Sequence, residues 1–284
     1  MNSICFFSSY FNESGIPYYV RFYLDQLAPF FSKIVFITND KKLSDDSLSY
    51  LKEKNIAFMP VKNEGWDFGM WYKAFKVYDI LSFDRIGLVN DSCILFKPPH
   101  HFFNWLEKSE LDYCGMVDSN AISYHLQSYF LIINKKAIPD AYQYFMENCI
   151  LTNVKEVIHT YEIGLSRYLI HKGHRIGACY TTKEYKGEYS PTFFMTKTLI
   201  EKGFPLIKKK IIFSSFRKDE YLTLVRMKFR LDPRYYIHIV QQCGGVIDFK
   251  KIVQPSLFFY MKLLAYNTFY ILYQVLRKFK RSKK

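Results

Sequence analysis

Ile86-Gly87-Leu88-Val89-Asn90-Asp91-Ser92 passes from four apolar positions straight into an amide, a carboxylate and a hydroxyl. A short apolar run bounded by polar residues is the pattern of a buried strand that surfaces at its end. The same pattern recurs at 4–8, 33–38, 56–61, 113–117, 129–133 and 174–178, with helix-period segments at 17–27, 44–54 and 67–78 between the first four runs. Ser44 stands where it caps the second helix. Alternation of this kind predicts an α/β fold: a mostly parallel sheet with helices on both faces, and ligands at the carboxyl ends of its strands.

The residues just after each run are polar. They are Ser8-Ser9-Tyr10 after the first, Asn63-Glu64-Gly65-Trp66-Asp67-Phe68-Gly69 after the third and Asn90-Asp91-Ser92 after the fourth. No Gly-x-Gly-x-x-Gly follows the first run and no Gly-Lys-Ser/Thr occurs, so dinucleotide and P-loop readings lose their main support. Asn90-Asp91-Ser92 offers hard oxygens suited to magnesium or manganese, which take one or two carboxylates plus phosphate oxygens. It also reads as a strand-ending Asx turn. Asp67, between two glycines at a strand-to-helix turn, is either a helix cap or a partner for a base or ribose, where free backbone N–H groups favour an anion.

Two later segments carry polar groups toward the same rim. His125, Gln127 and Ser128 precede an apolar strand and can bond sugar hydroxyls or phosphate, although a lone His beside such a strand also serves as a structural group. Glu162 reads as opening a helix that runs to His171 and stops at Lys172-Gly173. A Glu there either complements the helix dipole or faces the cleft.

In this order Phe7-Ser8-Ser9-Tyr10, Asn63 to Gly69 with Trp71, Leu88-Val89-Asn90-Asp91-Ser92, His125 to Phe130 and Tyr161-Glu162-Ile163-Gly164-Leu165-Ser166 resemble the motif series of the rhamnan synthesis protein F family. The likeness runs from about residue 5 to 210 and takes in Gly203-Phe204-Pro205. These are glycosyltransferases of bacterial surface polysaccharide assembly. The resemblance implies a GT-A-like fold with a nucleoside diphosphate sugar, dTDP-rhamnose favoured, at Ser8, Asn63, Gly65, Asp67, Asn90, Asp91 and Ser92. It places acceptor or donor-sugar contacts at His125, Gln127 and Ser128, the general base at Glu162, and inversion at the transferred carbon. Asn90-Asp91-Ser92 matches a metal-holding Asp-x-Asp but lacks the second carboxylate. That leaves a divalent metal held by Asp91 with phosphate and water, or a metal-free site in which basic side chains offset the leaving charge. A non-catalytic member of the fold, binding polysaccharide or an assembly partner, is the other class of function.

Composition bounds the rest. The 284 residues are 49% hydrophobic and 23% charged, which suits one α/β domain with a tail and excludes wholesale disorder. The 19% aromatic share fits aromatic-lined clefts, and AT-rich coding produces it equally well. Residues 1–200 carry 21 basic and 21 acidic side chains, so of the totals of 40 and 26 the remaining 19 and 5 lie in 201–284. A neutral domain, 1–210, is therefore expected before a basic helical region, 211–284, with a change of character near Ser190-Pro191. Within the latter, 257–284 reads as an amphipathic helix on an anionic membrane surface, with a spanning helix or a core or dimer helix as alternatives. The basic tail has a single aromatic, Phe279, among its charges, so nucleic acid is not expected as a partner. The six cysteines form no Cys-x-x-Cys pair and read as buried thiols, and residues 1–11 lack a basic start and a cleavage site. The expected location is cytoplasmic, peripheral on the inner face of the membrane, with a polysaccharide or lipid-linked acceptor.

Overall fold

The computed structural model describes residues 1–185 and 190–209. The helix expected at 257–284 lies outside the described residues. Those described fall in one compact unit, Met1–Lys209.

The first half is a set of strand-helix-strand units. Strand β1 (Ser3–Ser9), helix α1 (Tyr18–Leu27), β2 (Lys33–Asn39), α2 (Asp45–Glu53), β3 (Ala57–Val61), α3 (Trp66–Val77) and β4 (Arg85–Asn90) follow one another. Every residue of β1 and β4 is buried, as strands covered on both faces require. Helix α1 packs Tyr19, Val20, Tyr23, Leu24 and Leu27 inward, a helical stripe. Ser44 caps α2 by accepting from Ser47 N, while Asp45 and Asp46 complement its first turn.

The second half adds β5 (Cys93–Leu95), α4 (His100–Lys108), β6 (Tyr113–Ser119), β7 (His125–Leu126), β8 (Phe130–Asn134) and α5 (Ile138–Asn148). Helix α6 (Val154–Val157) continues through a π-helical stretch, Ile158–Gly164, into α7 (Leu165–His171). Then come β9 (Ile176–Tyr180), α8 (Pro191–Phe194), α9 (Thr196–Glu201) and β10 (Leu206–Lys208).

The main sheet runs β3-β2-β1-β4-β8-β6, with β7 paired to the end of β6 and β9 parallel to β6. Strands β3, β2, β1 and β4 are mutually parallel, and β8 runs against both β4 and β6. The expected mostly parallel sheet of an α/β fold is present. After β1 the chain winds outward to β2 and β3, then returns to the other side of β1 as β4. That reversal opens a crevice beyond the carboxyl ends of β1 and β4, where a ligand fits. Ser8 and Asn90 are in register there.

The aromatic residues fill the core. Phe68 stacks on Tyr161 at 5.1 Å and meets Trp71 edge-on at 5.0 Å, and Phe75 lies 4.7 Å from Phe145. Such pairs add about 0.5–1.5 kcal/mol each beyond area burial. They tie α3, α5 and the π-helical stretch together.

Three sequence expectations need correction. Ser190-Pro191 is no boundary, because β10 pairs antiparallel with β5 and Leu199, Phe204 and Leu206 are fully buried. Glu162 does not open its helix: Asn153 caps it nine residues earlier by accepting from Lys155 N, so Glu162 sits mid-helix. Cys5, Cys93 and Cys114 are buried thiols, but Cys149 is exposed beyond α5 at a positive φ of 55°.

Candidate active site

The turn into α3 depends on its glycines. Gly65 precedes the helix at φ +74°, and a Cβ on Gly69 would lie 1.7 Å from the Glu64 carbonyl oxygen. Gly69 N instead donates to Gly65 O at 2.9 Å, and the loop folds back onto the helix start. Asp67 is thereby fixed in the first turn, facing the crevice.

Asp67 is held from both neighbouring strands. Ser8 Oγ donates to its Oδ1 at 2.9 Å and Asn90 Nδ2 to its Oδ2 at 2.8 Å. The Asp67 carboxyl is raised to about 7, first by burial and then by the nearby Asp91 charge, with a smaller push from Glu162, while the Ser8 bond and Lys209 act the other way. Asp91 and Glu162 are therefore both close enough to Asp67 for their charges to act on it.

Asp91 has different company. Its Oδ2 accepts from Ser9 Oγ at 2.8 Å, Tyr19 OH at 2.9 Å and Lys209 Nζ at 2.8 Å. Its side chain is 8% exposed and that of Lys209 24%.

A second polar group gathers around Glu162. Gln127 Nε2 donates to Glu162 Oε1 at 3.0 Å and lies 3.2 Å from His125 Nε2, while Ser190 Oγ donates to Gln127 Oε1 at 2.5 Å. His125 Nδ1 is 2.8 Å from the Ser123 carbonyl. With Nδ1 donating to Ser123 and Nε2 accepting from Gln127, every polar atom of the Gln127 amide is used. His125 and Gln127 are buried, so they hold Glu162 from behind, and Glu162 itself is partly exposed to the cleft. The π-helical stretch around Glu162 is of a kind often found at functional sites. Asp118, at the end of β6, is buried and its Oδ1 accepts from Thr182 N at 2.6 Å and Thr182 Oγ1 at 2.9 Å. It is a clamp between β6 and the loop after β9.

A family model described as rhamnan synthesis protein F matches residues 34–242, well over half of the chain and all of this cleft except its β1 and α1 side. The chain belongs to that family. Virulence protein VirA of Vibrio anguillarum is 27% identical to it over 191 residues, 55% of this chain and 62% of the relative. The match thus covers less than two thirds of that relative's length. A solved cytidylyltransferase from Leptospira borgpetersenii aligns over 90% of this chain and 98% of its own, with 12% identity and a TM-score of 0.45. For the glycosyltransferase GlyE of Streptococcus pneumoniae the coverage is 88% and 62%, the identity 12% and the TM-score 0.40.

In this member of the rhamnan synthesis protein F family, the cleft joins Ser8, Asp67 and Asn90 directly to one another and sets Asp91 beside them. Ser92 is exposed, and its N–H donates to Asn90 Oδ1 at 3.0 Å, so the Asx turn and the site share one side chain. Asn63, Gly65 and Trp66 line an open cavity of about 280 Å³ with Glu64 and Thr152. Ser128 is partly exposed between β7 and β8. Tyr19, Lys209 and Ser190 complete the two groups although the sequence did not single them out. Tyr19 reads as an ordinary member of a buried helical stripe, and Lys209 is 118 residues from the carboxylate it meets.

The donor set suits a hard cation in part. No group of three or more His, Cys, Asp or Glu residues gathers among the described residues. Two adjacent carboxylates with an amide and hydroxyls do fit magnesium or manganese, provided phosphate oxygens complete the shell.

Proposed function

We propose that this chain transfers a sugar, rhamnose from dTDP-rhamnose being favoured, to a growing surface polysaccharide or a lipid-linked acceptor. The observation that carries it is the pairing of two poles across one cleft. Asp67 in the first turn of α3 and Asn90 and Asp91 at the end of β4 form one pole, and Glu162, held by Gln127, is close enough for its charge to act on Asp67.

In this reading the diphosphate enters at the switch point between β1 and β4, near the start of α3, and Asp67 and Asn63 lie within reach of the nucleoside. Asp91, with Asp67, would hold magnesium or manganese there. When bound, such a cation offsets the charge that builds on the departing diphosphate. Glu162 takes the proton from the acceptor hydroxyl, whose oxygen attacks the anomeric carbon as the bond to the diphosphate oxygen breaks, inverting that carbon. Gln127 keeps the carboxylate aimed, and the His125 ring, accepting from Gln127, backs it with Nε2 4.0 Å from Glu162 Oε1. Rhamnose and inversion rest on the family resemblance. A cytoplasmic location at the inner face of the membrane rests on the basic segment 257–284. Among the described residues no helix is long and apolar enough to cross a membrane.

The test is thermal shift against a panel of nucleoside diphosphates, with and without manganese, followed by transfer assays with Glu162→Gln. Stabilisation by one nucleotide, with transfer lost and binding kept in the variant, is expected. A variant that turns over at the wild-type rate removes Glu162 from the mechanism.

A further inference from the structure

Lys209 reaches the catalytic cleft from the far end of the described chain. Strand β10 pairs with β5 through Leu206↔Leu95, Ile207↔Ile94 and Lys208↔Cys93, and Lys209 N then donates to Ser92 O at 3.0 Å. The segment that carries Lys209 is thus bonded to the residues immediately following Asp91. Lys209 Nζ donates to Asp91 Oδ2 at 2.8 Å and to Tyr19 OH at 2.9 Å, and lies 5.1 Å from the centre of the Tyr19 ring.

This cation stands on the one carboxylate that a metal at Asn90-Asp91-Ser92 would need. Resting on the reading of the cleft as a nucleoside diphosphate site, we propose that Lys209 is a diphosphate-binding residue that occupies Asp91 in the free protein and leaves it when nucleotide arrives, so that nucleotide and divalent cation bind interdependently.

The charges decide it. A buried carboxylate is costly to leave without a countercharge, so Asp91 gives up Lys209 only to another cation. A divalent ion arriving alone must displace Lys209 and then sit beside the displaced charge. A diphosphate arriving alone can draw Lys209 off but leaves Asp91 uncompensated next to phosphate oxygens. When both arrive, Lys209 meets phosphate, Asp91 meets the metal, and neither charge is stranded. Nothing in the backbone need move, because Lys209 is a flexible four-carbon stem with a quarter of its side chain already in solvent. The result is a positive coupling between two ligands of one site, commonly 5- to 150-fold.

Calorimetry on the full chain tests this with manganese chloride and with UDP, dTDP, GDP and CDP, each nucleotide titrated in EDTA and in manganese. In the wild type, manganese alone should bind weakly and the nucleotide that binds should tighten it at least about 10-fold. Lys209→Met should bind manganese about 10-fold more tightly without nucleotide, bind nucleotide about 10-fold more weakly in EDTA, and lose the coupling. Lys209→Arg, which keeps the charge, should retain nucleotide binding in EDTA, and unfolding curves establish that each variant is folded. Opposite shifts for the two ligands are not what a merely structural lysine gives. Equal manganese affinity in wild type and Lys209→Met, equal nucleotide affinity in EDTA, or no manganese effect in any sample overturns the inference alone. A wild-type chain that binds none of the four nucleotides overturns the site reading and this inference with it.

Discussion

Asn90 Nδ2 donates to Asp67 Oδ2 across 2.8 Å, so the residue that closes β4 fixes the carboxylate in the first turn of α3. Its other amide atom accepts from Ser92 N at 3.0 Å. One side chain therefore shapes the exit from the strand and positions the site. Asn90→Ala strips both bonds and leaves a carboxylate oxygen of Asp67 short of a donor. A loss of about 1–3 kcal/mol in urea unfolding is expected, together with weaker nucleotide binding. Stability within error of wild type would mean that water replaces the amide at no cost.

Asp67 gives the fold a pH dependence of definite sign. Its carboxyl is raised from 3.8 to about 7, first by burial and then by Asp91. Between those values the folded chain holds a proton that the unfolded chain releases. The contribution is present in full below about pH 4 and is lost as pH rises through 7. In Asp67→Asn that part of the slope should vanish. The comparison is of unfolding free energies at pH 5 and pH 8 in both proteins. Slopes that match would place the titration elsewhere.

Glu162 and Gln127 should separate chemistry from binding. Glu162→Gln is expected to cost about 10²- to 10⁴-fold in turnover while donor affinity stays. Gln127→Ala leaves the carboxylate in place but unaimed, with a smaller loss, up to about 10²-fold, confined to kcat. A change in donor KM without a change in kcat would instead make Gln127 a ligand contact.

The strands were readable because parallel strands covered on both faces become uninterrupted apolar runs, as in Cys5-Phe6-Phe7 and Ile86 to Val89. Direction was not readable: β8 is as apolar as its parallel neighbours, yet antiparallel to them. On the nucleotide side, Ser8, Asp67, Asn90 and Asp91 stood out because each ends a strand or begins a helix. Lys209 and Tyr19 did not, since tertiary pairing rather than local pattern brings them to Asp91. The helix around Glu162 starts at its Asn153 cap, nine residues before the expected opening, and Val154, Val157, Ile158 and Tyr161 already stand at helical spacing there.

Gly69 sets two effects against each other. Alanine is the better helix former by about 1 kcal/mol. Its Cβ would lie 1.7 Å from the Glu64 carbonyl oxygen, however, and a backbone atom cannot swing aside as a side chain would. Overpacking of this kind costs about 3 kcal/mol, so sterics outweigh propensity. Gly69→Ala should lower the unfolding midpoint and, by displacing the turn that carries Asp67, weaken nucleotide binding as well. A stabilised variant would mean that the loop at 62–66 yields freely.

The last expectation rests on residues 257–284, outside the described part of the chain. Residues 257–276 are rich in Phe, Tyr and Leu, and six of the final eight residues are Lys or Arg. Each basic side chain close to an anionic leaflet contributes about 1 kcal/mol, so the cluster alone should give firm attachment that fades within the Debye length as salt rises. The aromatic face adds a part that salt does not screen. Full-length protein should therefore float with anionic liposomes strongly at low salt and partly at high salt, and not with neutral ones in comparable amount. Removing 257–284 should leave it in the soluble fraction under all three conditions. A truncated chain that still floats at low salt would transfer the attachment to the remaining surface and remove this segment from it.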